Sequence, residues 1–212
     1  MRKGFGVCCI ILGICCLIAS VGLIAYNHWE EEYAQNASET ILHNVRESIL
    51  DNTHKESTQE STPVDGDREE PAEDPMDIPQ EMLTAEVDGY DCIGVLSIPV
   101  LELELPVLTD WSYEKLKIAP CHYFGSYYEK NFVIAAHNFQ SHFGRLSLLK
   151  PDDLILFTDI SGNVYCYEVA LLETLPGSAT EEMITSGFDL SLYTCTPGGA
   201  SRVTVRCNAF SG

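Results

Sequence analysis

Three residues in the C-terminal half carry the reactive groups of this chain: the Cys195 thiol, the His137 imidazole and the Arg202 guanidinium. Each sits at the end of an apolar run. His137 follows Phe132-Val133-Ile134-Ala135-Ala136. Cys195 closes Ser191-Leu192-Tyr193-Thr194-Cys195. Arg202 opens the next run, after Pro197-Gly198-Gly199. A thiolate nucleophile, a proton carrier and an anion stabiliser are the parts of an acyl-transfer site.

Strand alternation gives these groups a direction. Leu190 and Leu192 share one face of their run, and Ser191, Tyr193 and Cys195 share the other. Val203, Val205 and Cys207 oppose Arg202, Thr204 and Arg206. With the apolar faces inside, Cys195 and Arg202 point outward, where a groove for an extended peptide would lie. Cys207 then points inward and cannot pair with Cys195. Alternation does not choose between Arg202 and Arg206.

The elements that must position these groups are mostly strands. Apolar runs at Gly94–Val100, Leu103–Leu108, Phe132–His137, Leu154–Ile160, Val164–Leu175, Leu190–Cys195 and Arg202–Phe210 are separated by turn residues. Short helices are expected near Tyr113–Ile118, Phe143–Leu149 and Thr180–Thr185. Many strands and few helices point to a mainly β, closed or nearly closed barrel over residues 87–212. That length suffices for one core.

Ser191-Leu192-Tyr193-Thr194-Cys195 resembles the TLxTC signature of the sortases, the cysteine transpeptidases of Gram-positive cell surfaces. The Cys-Thr-Pro turn with its Arg strand, and Ala135-Ala136-His137-Asn138 followed by Gly144-Arg145-Leu146, are similar to that family as well. The resemblance covers roughly Gly94 to Phe210. It implies a closed eight-stranded β-barrel, a Cys195 nucleophile, a His137 proton carrier and an Arg202 oxyanion donor. Thr194 and Tyr193 would lie beside the substrate, with Glu173–Phe188 lining the groove. The implied partners are surface proteins or pilins with an LPxTG-like sorting signal, and a cell-wall precursor or pilin amine as acceptor.

Other chemistries fit less well. Zinc would need close ligand pairs such as CxxC or HxxxH, and none surrounds His137, His142 or Cys195. One sortase class binds calcium through acids after its His strand, but Asn138–Lys150 holds no Asp or Glu. No metal or other cofactor is expected. Cys92 and Cys121 are close enough in kind to pair, and Cys166 reads as an ordinary thiol. A papain-like or cell-wall hydrolase would place Cys before His along the chain. A non-catalytic peptide-binding barrel would need no thiol.

Charge is unevenly distributed. The net charge is −20, and residues 27–86 hold 17 acidic and 3 basic residues. No basic stripe exists for nucleic acid. Gly4–Tyr26 has no charged residue and is long enough for one transmembrane helix. Residues 1–3 form a basic tip, and Trp29 and Glu30-Glu31-Glu32 follow the run. The tip is therefore expected in the cytoplasm and residues 87–212 outside the cell membrane. Residues 27–86 read as an acidic stalk. Within it, Ile41, Leu42, Val45 and Ile49 predict a short amphipathic helix over 30–50. That helix could pack on the barrel, pair with another copy or lie on the membrane. Asp51–Glu86 is expected to be unstructured. Asp74-Pro75-Met76 faintly resembles the lid motif of pilus-building sortases, but Met stands for the aromatic residue and it reads as linker.

Overall fold

The structure, a computed structural model, describes residues 2–59 and 80–210, with side chains described for 10–53 and 80–210. Asp74-Pro75-Met76 lies outside the described residues. The chain begins with one long helix, α1 (Arg2–Gln59). It contains no proline, so nothing in the run breaks the ladder of backbone bonds. Local side-chain bonds such as Gln35 Nε2 to Glu39 Oε1, 2.8 Å, support its exposed face.

α1 differs from expectation in two ways. The apolar run and the amphipathic stretch are one continuous helix, not an anchor and a separate short helix. The helix also continues past Asp51, where no structure was expected. Once a helix is nucleated, each further residue adds a hydrogen bond at small cost. Tertiary contact does the rest. Ala34, Ser38, Ile41 and Val45 are buried, and Ile41 and Val45 pack with Val87, Val95, Leu108, Ile118 and Ile160 of the barrel. Arg46 pairs with Glu104. Asn44 donates to Asp88 at 2.8 Å, and Asn52 donates to the Ile160 carbonyl at 3.3 Å. The amphipathic stretch therefore packs on the domain.

The rest is a β-barrel. Its strands are β1 (Ala85–Val87), β2 (Tyr90–Ile98), β3 (Leu103–Leu108), β4 (Cys121–Phe124), β5 (Phe132–Ala135), β6 (Leu154–Asp159), β7 (Val164–Pro176), β8 (Leu190–Cys195) and β9 (Ser201–Ala209). Their order is β1-β2-β3-β4-β5-β8-β9-β7-β6, and β2 also pairs with β6. Eight strands, β2 to β9, thus close into a ring, and the short β1 extends one edge. Closure happens where β2 leaves register with β3 at Gly94. A Cβ on Gly94 would meet the Thr158 carbonyl oxygen at 2.1 Å, so the seam needs glycine there.

Two short helices, α2 (Tyr113–Leu116) and α3 (Thr180–Ile184), sit where helices were expected. Ser112 caps α2 by accepting the Lys115 N–H. The expected helix over Phe143–Leu149 is only turns and a 3-10 turn, Leu146–Leu148. The barrel interior holds Phe132, Ile134, Phe157, Leu190, Leu192, Val205 and Cys207, all fully buried. Burial raises the Cys207 thiol pKa to about 12. Cys92 and Cys121 are both free and buried, so the pairing considered for them is not formed.

Candidate active site

β5 and β8 run parallel, with Phe132 opposite Leu190 and Ala135 opposite Tyr193. The pairing continues past the strand end, where the Ala136 N–H donates to the Tyr193 carbonyl at 3.1 Å. His137 and Cys195 are therefore the next positions on neighbouring strand ends. Cys195 is exposed, as alternation required.

β9 returns antiparallel to β8 and makes Arg202 the direct Cα partner of Cys195. The turn between them is built for this. Gly198 and Gly199 have φ of 85° and 74°, which favour glycine. The Thr196 hydroxyl accepts the Ser201 N–H at 3.2 Å, and the Gly199 N–H donates to the Thr196 carbonyl at 2.8 Å. The Arg202 Nη1 donates to the carbonyls of Gly199 and Ser201, at 3.1 and 3.3 Å. The Thr196 N–H is already bonded to the Ser201 carbonyl, so the backbone donor that follows Cys195 is occupied.

Arg206 shares the outer face of β9 yet is only 2% exposed, because α3 covers it. It pairs with Glu173 at 2.7 Å and donates to the Ser191 hydroxyl at 2.8 Å and the Glu182 and Met183 carbonyls at 2.8 and 3.2 Å. The outer face of the sheet is thus not uniformly open. Arg206 holds α3 in place, and Arg202 alone of the two stands beside the thiol.

Cys195 and Arg202 line a groove of about 200 Å³. One wall is aromatic: Trp111 lies 5.6 Å from Tyr123, and Tyr123 meets Tyr193 edge-on at 5.4 Å between ring centroids. The other wall is Pro176, Gly177, Ala179, Thr180 and Met183, which fall within the segment expected to line it. Tyr193 lines the groove. Thr194 does not: it is buried on the opposite face of β8 and donates to the Ala136 carbonyl at 2.9 Å. It ties the Cys strand to the His strand and offers nothing to the groove.

His137 does not line this groove. Its ring stacks on Phe139, with centroids 4.0 Å apart, and lines a separate cavity of about 280 Å³ with Asn27, Glu30 and Glu31 of α1. Its Nδ1 is buried without a hydrogen-bond partner. Burial lowers the His137 pKa; the Glu30 charge opposes this, and Lys117 adds to it. The structure brings Cys195 and Arg202 together and leaves the imidazole on the α1 side of the same strand end. Among the described residues, no group of three or more His, Cys, Asp or Glu is placed to hold a metal.

A closed eight-stranded mixed barrel whose thiol strand lies between a His strand and an Arg strand has the architecture of a sortase. The family model described as the Sortase domain matches residues 96–209, more than half of the chain, and the chain belongs to that family. Sortase A from Corynebacterium diphtheriae superposes with a TM-score of 0.53 at 23% identity, covering 58% of this chain and 62% of that one. A Clostridium perfringens sortase D5 transpeptidase gives 0.58 at 16% identity, covering 83% and 99%. A pilus-related sortase C of Group B Streptococcus gives 0.50 at 25% identity, covering 59% and 70%. This chain thus spans just under two thirds of the diphtheria enzyme. No curated protein sequence matches.

The aromatic wall was not foreseen. Trp111, Tyr113 and Tyr123 lie on α2, its entry and β4, outside the motifs. The signal available was three large aromatic residues in polar, short-element sequence, where no core strand or helix needs them.

Proposed function

We propose that this chain is a membrane-anchored cysteine transpeptidase that cleaves an LPxTG-like sorting signal and joins the released acyl group to an amine. The observation that carries this reading is the direct pairing of Cys195 with Arg202 across β8 and β9, with His137 two residues beyond the end of β5, the strand on the other side of β8. The Cys195 thiolate attacks the Thr carbonyl of the signal. Arg202 Nε and Nη2 carry no hydrogen bond among the described residues and are free to receive the oxyanion. The C–N bond breaks, and His137, protonated, gives its proton to the departing amine. A Cys195 thioester remains. An acceptor amine attacks it, His137 takes the amine's proton, and the Cys195 thiolate is released. Covalent storage of the acyl group lets an amine compete with water.

His137 must turn from Phe139 toward the groove for these transfers. Catalytic hydrogen bonds are often loose in a substrate-free site and tighten on binding. The neighbouring position of the two strand ends keeps this a side-chain movement. The likeness to a pilus-related sortase C supports a pilin as one acceptor, and a cell-wall precursor amine is the other. Among the described residues, one helix, α1, is long and apolar enough to cross a membrane. The charge order around it, Arg2 and Lys3 before and Glu30 to Glu32 after, supports a cytoplasmic N-terminus and an external barrel.

The test is transfer. The full chain in detergent is given an LPxTG-containing peptide and a short glycine peptide, and products are read by mass spectrometry. A joined product that requires the amine supports the reading. Cleavage products without any joined product would make the protein a hydrolase, and neither would make it a binder.

A further inference from the structure

Among the described residues, the cavity beside His137 is lined by α1 and by the loop that follows the imidazole. Glu31 Oε1 accepts the Gln140 backbone N–H at 2.6 Å. Glu30 pairs with Lys117, just after α2. Both acids, with Asn27, face His137, Asn138, Phe139 and Gln140 across the cavity of about 280 Å³. α1 cannot drift here, because Ala34, Ser38, Ile41 and Val45 are seated on the barrel in the turns that follow. The apolar run ends at Tyr26, so these acids lie roughly 6 Å along the helix from its last residue.

We propose that Glu30 and Glu31 are positioning residues for His137, so that the helix leading into the membrane completes the catalytic unit of the barrel. This deepens the transpeptidase reading and rests on it. Glu31 fixes the loop that follows the imidazole by holding Gln140. Glu30 lines the cavity where the ring rests before it turns to the groove and, with Lys117, adjusts how readily His137 takes up its proton there. The imidazolium is the form that must donate to the leaving amine, and a nearby carboxylate favours loading that proton in the resting position, before the ring turns. The other titratable group that acts on the ring is His142 in the same loop; Cys195 and Arg202 lie in the groove on the other side of the strand end. Neither His142 nor Arg202 supplies a negative charge. A sortase barrel without α1 would keep its thiol and guanidinium but lose one support of its proton carrier.

The experiment uses the full chain in detergent with ¹⁵N-labelled histidine, and follows the His137 ring through a pH titration by NMR. Glu30→Gln should move the His137 midpoint to lower pH. Lys117→Met, which frees Glu30, should move it to higher pH. Unchanged midpoints in both variants overturn the role of Glu30. In peptide transfer, Glu31→Ala should lower kcat by roughly tenfold or more with KM unchanged, the loss expected for one charge-assisted hydrogen bond. Glu31→Gln, whose amide oxygen still accepts from Gln140, should recover most of that loss. Wild-type kcat in Glu31→Ala, or no recovery in Glu31→Gln, overturns the role of Glu31. A wild-type chain that transfers no peptide would sink the transpeptidase reading, and the titrations would still decide the contact with His137.

Discussion

Arg202 stands directly opposite Cys195 across the β8–β9 ladder, and Arg206 stands opposite Ser191. The two arginines share a strand face and have opposite surroundings. Among the described residues, Arg202 is bonded only to carbonyls of its own turn, whereas Arg206 is clamped by Glu173, Ser191 and the last carbonyls of α3.

Substitution separates the two roles. Arg202→Lys should cut transfer by about 10²–10³, the usual loss for one oxyanion donor, and leave the melting temperature near wild type. Arg206→Met should do the reverse. It leaves Glu173 without its partner and strips donors from buried carbonyls, at about 3–5 kcal/mol of stability. Urea unfolding and transfer rates of both variants check this. A stable, inactive Arg206→Met protein would reverse the assignment.

The strand faces of the candidate residues were legible in sequence because they follow the period of a strand. Cys195, Tyr193 and Arg202 fell on the expected faces, and the inward position of Cys207 followed from the same alternation. What alternation cannot see is a second layer over a sheet. Arg206 lies on the outer face and is buried all the same, because α3 rests there. β4 escaped notice because Cys121-His122-Tyr123-Phe124 is too short and too polar to read as a run. Its parallel join to β3 through Leu108 and Cys121 is a tertiary fact. The length of α1 was hidden for the opposite reason: acidic composition suggested a solvated stalk, and the residues that dock it are a sparse mix of small, apolar and polar side chains, among them Ala34, Ile41, Val45, Arg46 and Asn52.

That docking has a measurable consequence. A chain beginning near Thr84 would expose Val95, Leu108, Ile118 and Ile160, which α1 now covers. Loss of the buried Ile41 and Val45 side chains alone removes about 1.5–3 kcal/mol each. A chain beginning at Trp29 should keep the wild-type urea midpoint, and one beginning near Thr84 should fall clearly below it. Equal midpoints would mean that α1 only rests on the barrel.

Stability should also depend on pH through His142. It is fully buried, both ring nitrogens lack partners, and burial lowers its pKa from 6.5 to about 4. In the unfolded chain it takes a proton at its ordinary value. Between those two values the unfolded state binds more protons, so stability falls as pH drops from about 6.5 toward about 4. His137, also lowered by burial, acts in the same direction. His142→Phe should flatten this part of the curve in urea unfolding between pH 4 and 7. An unchanged slope would assign the acid sensitivity to other groups.

The central claim is that Cys195 is the nucleophile of an acyl-transfer site. Its thiol is exposed at the end of β8, so Cys195→Ala should leave the barrel folded. The most direct measurement is mass spectrometry of the full chain after incubation with an LPxTG-type peptide whose scissile Thr carbonyl is replaced by a thiol-reactive trap. The account predicts one adduct, on the peptide containing Cys195, and none in Cys195→Ala. An adduct that persists in Cys195→Ala, or sits on Cys166 or another thiol of the wild type, would contradict it.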